Sequence, residues 1–258
     1  MRRTRLAPFA ALAALVLLAV VAGTAAGSVS IPLITTARVI AAHLLHQAPP
    51  TDAATAAIVY QIRLPRALVA ALVGAGLGVS GAAMQGLYRN PLADPGLLGI
   101  SSGAALGAVT ILYGGFAAGD PWRVAGGAFL GALVTAAVVF RLGTRAHRTP
   151  VGLLLLAGLA VSNLLSAVIS LLLTISHPAM LQLLIGWLMG SLDGRGWPQA
   201  AAVALPILLA AAMLCAFGRT LNALATGEED ALALGFDIER HKRYVLALVA
   251  VATGVAVS

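Results

Sequence analysis

Residues Thr149–Leu192 read TPVGLLLLAGLAVSNLLSAVISLLLTISHPAMLQLLIGWLMGSL, 44 positions without one Asp, Glu, Lys or Arg. A charged side chain at the centre of a bilayer costs about 2.5–3.5 kcal/mol even on the mildest scale, so an uncharged run of this length is free to enter lipid. A spanning helix needs about 20 residues, and this run is too long for one. Ser176, His177 and Pro178 interrupt it. Gly152–Thr174 then forms one span, whereas Ala179–Leu192 is long enough only for a half-length or interfacial helix on the same side. Irregular backbone at membrane depth survives only inside protein or beside a water-filled cavity, which points to a pathway near the break.

The same criterion applied outward finds uncharged intervals at Leu6–Ala37, Ala67–Tyr88, Pro95–Gly119, Val124–Phe140 and Gly196–Gly218, and a last one from Tyr244 to Ser258. That predicts six complete spans and the start of a seventh. The composition agrees: 60% of the 258 residues are hydrophobic and 10% charged, against roughly 45–50% and 25% in a soluble domain. A soluble fold of this size cannot bury so much apolar surface. The net charge of +7 forms no continuous patch of the kind nucleic acid needs, because the basic residues sit at the ends of apolar runs. With the N-terminus in the cytoplasm, eleven basic residues fall on inner segments and five, Arg38, Arg63, Arg66, Arg123 and Arg195, on outer ones. The positive-inside rule therefore favours an inward N-terminus. The first uncharged run exceeds a 7–15 residue signal core, which argues against a cleaved leader. The seventh run stops after 15 residues, so the sequence reads as C-terminally incomplete. Cys215 is the sole cysteine and excludes an intramolecular disulfide.

Small residues recur every four positions at Gly74, Gly78, Ala82 and Gly86, at Gly99, Gly103 and Gly107, and at Gly127 and Gly131. Such ridges let membrane helices approach closely, so all three are expected at helix contacts. Enzyme signals are weaker. Gly78-Val79-Ser80-Gly81 matches the GxSG string of intramembrane serine proteases, and Gly99–Gly103 matches G-x-S-x-G, but a serine nucleophile needs a base within reach and no histidine except His177 is near a span. His43 and His46 lack a further ligand and read as a polar edge rather than a metal site. The only lysine, Lys242, is not in a P-loop, so any ATP-driven role needs a partner. No acidic residue lies in a span, which argues against a secondary transporter.

The segment 219–243 is the richest in charge. Thr226-Gly227-Glu228-Glu229 fits a capping box, Gly235 is placed to end the resulting helix, and a second short helix can start at Asp237. A cytoplasmic loop folded into short capped helices is what a protein-docking surface requires.

At Arg63-Leu64-Pro65-Arg66, through Gly81-Ala82-Ala83-Met84-Gln85-Gly86-Leu87 and Arg89-Asn90-Pro91-Leu92-Ala93-Asp94-Pro95-Gly96-Leu97-Leu98-Gly99, the sequence resembles the FecCD family, the permease subunits of ABC importers for ferric siderophores, haem and cobalamin. Leu154–Gly158, Trp187–Leu192 and Gly227–Gly235 look like further family blocks in the expected order. The resemblance implies an all-α, polytopic integral membrane bundle in a bacterial inner membrane, with about seven of roughly ten spans present. It implies one permease domain over 1–258, with a cytoplasmic coupling segment at 219–243. The permease would work as a homodimer with two ATPase subunits and a periplasmic or lipid-anchored binding protein, would carry no catalytic residue, metal or cofactor, and would leave ATP hydrolysis to its partner. Residue by residue, it implies that Arg63 and Arg66 meet acidic residues of the binding protein, that Asn90 and Leu92 belong to the inner gate, and that Glu228, Glu229, Ala231, Leu232 and Gly235 form the coupling helix docked on the ATPase. Nothing in the spans selects among the three substrate classes.

Overall fold

A computed structural model describes the backbone of residues 3–145, 148–233 and 235–258, and within them the side chains of all but 3–6, 225, 226 and 228–230. The described residues are helical except for short connections and one isolated bridge between Arg145 and Arg148. The helices are α1 (Arg3–Ala25), α2 (Leu33–Leu44), α3 (Ala53–Ala57), α4 (Leu64–Tyr88), α5 (Ile100–Tyr113), α6 (Pro121–Gly143), α7 (Val151–Ile175), α8 (Pro178–Leu188), α9 (Trp197–Ala216), α10 (Gly218–Thr226), α11 (Glu228–Ala233) and α12 (Ile238–Val257). A π-helical run, Ile58–Arg63, joins α3 to α4, and a 3-10 turn, Pro95–Leu98, precedes α5. Five stretches are long and apolar enough to cross a bilayer: Ala7–Ala25, Ala53–Tyr88, Pro121–Gly143, Val151–Ile175 and Trp197–Ala216. The chain is an all-α polytopic membrane protein.

Helix starts follow the sequence closely. Asp52, Asp120 and Asp237 each accept a backbone N–H of the first turn, and His177 Nδ1 does so for α8, satisfying donors that a helix start leaves unpaired. The break at Ser176–Pro178 and the short α8 stand where the sequence puts them.

Three expectations are corrected. The interval 95–119 is not one span. Asp94 Oδ1 accepts the Gly96 N–H at 2.6 Å and closes the 3-10 turn, and Gly99, at φ +71°, redirects the chain into α5. The 14 residues of α5 extend about 21 Å, short of the roughly 30 Å hydrocarbon core. The interval 6–37 is divided between α1 and α2 by the Ala26–Pro32 connection, and Arg38 lies inside α2. The helix beginning at Asp237 is not short: it runs for 20 residues, because Ile238, Val245 and Val249 form a buried stripe that continues straight into the apolar segment.

The chain comprises two compact units. The first, Met1–Leu72 with Leu192–Ala204, has a small core of Ile31, Val39, Ala56 and Val59. The second, Val73–Ser191 with Leu205–Ser258, holds the main core, including Met84, Ile100, Ala128, Leu154, Leu184 and Val249. Its centre is the α5–α6 pair, where two glycine ridges interlock. A Cβ at Gly107 would overlap the Gly127 carbonyl, and one at Gly131 would overlap the Gly103 carbonyl. The ridge on α4 behaves differently. Gly74 and Gly78 have no atom within 4 Å of a built Cβ, and only Gly86 meets a neighbour, Leu221. That ridge makes no tight helix contact among the described residues, since periodicity marks a close-approach surface without supplying its partner.

Candidate functional site

The sequence singles out three groups of residues, and the first lies in the smaller unit. The π-helical run displaces the backbone bonding by one residue: Leu64 N–H donates to Val59 O, and Pro65 has no N–H to give. Both partners that the Tyr60 carbonyl would have are thereby lost. The Trp197 indole supplies the replacement, Nε1–H donating to Tyr60 O at 3.0 Å, and its ring lies 5.1 Å from the Tyr60 ring. Tyr60 in turn stacks on His43 at 3.8 Å, with His43 Nδ1 bonded to Val39 O.

This irregular turn sets the direction of both arginines. Half-buried Arg63 folds back on the end of α1, donating to Ala25 O at 2.7 Å, Val29 O at 2.5 Å and Thr24 O at 3.4 Å. A guanidinium there satisfies carbonyls left open at a helix C-terminus and complements its partial negative charge. Gly27 makes room for it, since a Cβ would come 2.7 Å from Arg63 Nη2. Arg66 points elsewhere, to Asp193 in the connection before α9, at 2.7 Å with the two side chains 49% and 75% exposed. Arg66 is therefore solvent-accessible and already paired, whereas Arg63 is engaged by backbone.

The second group follows α4. Arg89 adopts φ +51°, the left-handed conformation usually given to glycine at a helix end. It lets Asn90 N–H reach back to Gln85 O at 3.2 Å. Asn90 Oδ1 then accepts the Leu92 N–H at 2.9 Å, and Gln85 Nε2 donates to Pro91 O at 3.0 Å. The outcome is a tight bonded turn that holds Leu92 83% exposed while Ala93 is buried. Asn90 shapes the turn; Leu92 is what the turn presents.

The third group is α10, α11 and the start of α12. Gly235, at φ +84°, donates its N–H to Leu232 O, and Phe236 N–H donates to Ala231 O, so α11 ends as the glycine position predicts. Ala231 is fully buried and Leu232 is 58% exposed. The side chains of Glu228 and Glu229, and the proposed cap at Thr226, lie outside the described residues.

One arrangement in the same unit was not legible as a site. Glu239 Oε2 accepts the Thr149 N–H at 3.0 Å, Lys242 Nζ donates to Thr149 O at 3.2 Å, and Lys242 and Glu239 pair at 3.3 Å. The Lys242 side chain is 3% exposed. The charge pattern of 219–243, read as a docking surface, gives no hint that these two side chains turn inward. The available signal was the spacing: Ile238, Lys242, Val245 and Val249 fall on one buried helix face. Ser80, the serine of the GxSG string, is buried with no hydrogen-bond partner among the described residues.

The FecCD transport family matches residues 14–258. A cobalamin import system permease protein, BtuC, of Halobacterium salinarum is 44% identical over 205 residues, covering 78% of this chain and 54% of the relative. A hemin transport system permease protein, HmuU, of Yersinia pestis is 40% identical over 200 residues, covering 76% of this chain and 60% of the relative. The chain thus spans little more than half the length of these relatives. Among solved structures, a metal-chelate type ABC transporter in an inward-facing conformation superimposes with a TM-score of 0.80 at 31% identity, over 96% of this chain and 74% of that one.

Proposed function

The chain belongs to the FecCD transport family, and from that premise we propose that it is the membrane permease subunit of a binding-protein-dependent ABC importer. The cargo class is a metal chelate of the siderophore, haem or cobalamin kind. The observation that carries the reading is the family match from residue 14 to residue 258, which takes in all three groups of site residues. The names of the relatives support the cargo class. The permease makes and breaks no covalent bond; ATP is hydrolysed on a separate subunit, present in two copies beside a permease homodimer. The location is the cytoplasmic membrane of a bacterium, with the N-terminus inside.

Each group then has a mechanical task. Arg66, accessible and held in position by the π-helical turn, offers a cation to an acidic residue of the binding protein. Arg63 fixes the backbone around that cation by closing the end of α1. Leu92, displayed by the Asn90 turn, contributes to the inner gate. The block Glu228–Gly235 docks on the ATPase, with exposed Leu232 entering its surface and buried Ala231 anchoring α11 to the permease.

The test is co-purification of the full-length permease with the ATPase subunit encoded beside it. Leu232→Asp places a charge in the docked surface and is expected to reduce ATPase recovery by an order of magnitude, with permease expression unchanged. Unchanged recovery would reject the docking assignment.

A further inference from the structure

The described contacts make α12 more than the helix that happens to follow the coupling segment. Four residues separate it from the end of α11, Gly235 and Asp237 among them. Its first two turns grip Thr149 by both backbone groups: Glu239 accepts the N–H and Lys242 donates to the carbonyl, while the two side chains pair with each other. Thr149 is 2% exposed. It belongs to a short connection that is itself tightly bonded, with Arg145 and Arg148 exchanging both backbone hydrogen bonds and the Thr144 and Thr149 hydroxyls 3.2 Å apart. Two residues later α7 begins. This is the apolar helix that leads into the Ser176–Pro178 break and the short α8.

We propose that Glu239 and Lys242, closed on the backbone of Thr149, form the joint through which a displacement of the coupling segment reaches α7. They are positioning residues, touching neither cargo nor nucleotide. The physical argument has two parts. A displacement passes between elements only where they are tied in both directions, and here one helix turn holds both the donor and the acceptor of a single peptide unit next to the next helix start. A buried lysine is also an expensive way to fill a core position, and an aliphatic residue between Ile238 and Val245 would pack without that penalty. The charge is explained by the bonds it makes to a separate element. This inference rests on the permease reading.

The test uses the full-length permease with its ATPase subunits and binding protein in proteoliposomes. Cyanocobalamin, haemin and a ferric hydroxamate serve as probes, and uptake and ATP hydrolysis are measured together. Lys242→Met is expected to lower uptake per ATP hydrolysed about fivefold or more, the scale of a coupling of 1 kcal/mol upward, and Lys242→Arg is expected to recover most of it. Because removing one partner strands the other charge, the neutral pair Glu239→Gln with Lys242→Met is made alongside, and it should show the same loss at normal thermal stability. An unchanged ratio of uptake to hydrolysis in the neutral pair would overturn the joint, as would a parallel fall of both activities with stability. Absence of ATP-dependent uptake of every probe by the wild-type complex would instead reject the permease reading itself.

Discussion

Arg66 and Asp193 meet at 2.7 Å on an accessible surface, and an exposed pair of this kind is worth at most about 1 kcal/mol. If Arg66 is the cation that meets the binding protein, Asp193 competes for it. Asp193→Asn should then tighten binding-protein association by up to about fivefold at low salt, an effect that shrinks as salt is added. Arg66→Glu should weaken it; surface plasmon resonance on the full-length permease in nanodiscs would measure both. Arg89 offers a second residue-scale check. A non-glycine side chain in the left-handed region is disfavoured by about 1–2 kcal/mol, and glycine surrenders part of that gain through backbone entropy. Arg89→Gly is accordingly expected to raise the melting temperature in detergent, whereas Arg89→Ala, which keeps the strain, is not. Asp52 carries a pH signature. The Thr55 N–H that it accepts holds its carboxyl below the ordinary range. Its capping contribution is therefore fully present above the carboxyl's unfolded-state value near 3.9 and is lost as pH falls through the lowered one. The protection factor of the Thr55 amide, taken against its intrinsic exchange rate at each pH, should fall only in acid, and this fall should be absent in Asp52→Asn, which lacks the titrating carboxyl.

At the scale of elements, the glycine ridges separate into two classes. Gly103 faces Thr135 and the Gly131 carbonyl, so Gly103→Ala should destabilise the α5–α6 pair by about 1–3 kcal/mol, the usual penalty of overpacking. Gly78→Ala meets nothing within 4 Å and should be neutral or stabilising in a helix interior; thermal unfolding of the two variants side by side distinguishes them. The sequence shows all three ridges equally, because a four-residue repeat records a smooth helix face and not what covers it. Spans were legible for a related reason. Charge spacing locates where lipid is permitted, and it placed α6, α7 and α9 closely. It is blind to continuity, so the turn at Asp94–Gly99 went unread within an uncharged interval. The helix start at Asp237 was legible from its residue type, whereas the caps at Asp120 and His177 lay at an interval bound and a break whose capping role the sequence did not single out. The π-helical turn at Ile58–Arg63 had no comparable signature beyond Pro65, since its stability comes from a tryptophan far along the chain.

For the whole molecule, the candidate residues do different work from one another despite being adjacent in motif. Arg63 and Arg66 are three apart, yet one closes a helix end and the other faces solvent. Asn90 builds the turn that Leu92 is displayed on. The charge density of 219–243 marks a docking segment but does not distinguish Glu239 and Lys242, which turn inward to the backbone of Thr149. Under the proposed permease role, the chain moves only when a separate subunit binds and hydrolyses ATP. The most direct test is uptake into proteoliposomes holding the full-length permease and its ATPase, with binding protein and each of the three chelate probes outside and ATP inside. Accumulation of at least one probe that requires both ATP and the binding protein, and that disappears when the ATPase is replaced by a hydrolysis-deficient variant, is the predicted result. Accumulation that persists without the ATPase would contradict it.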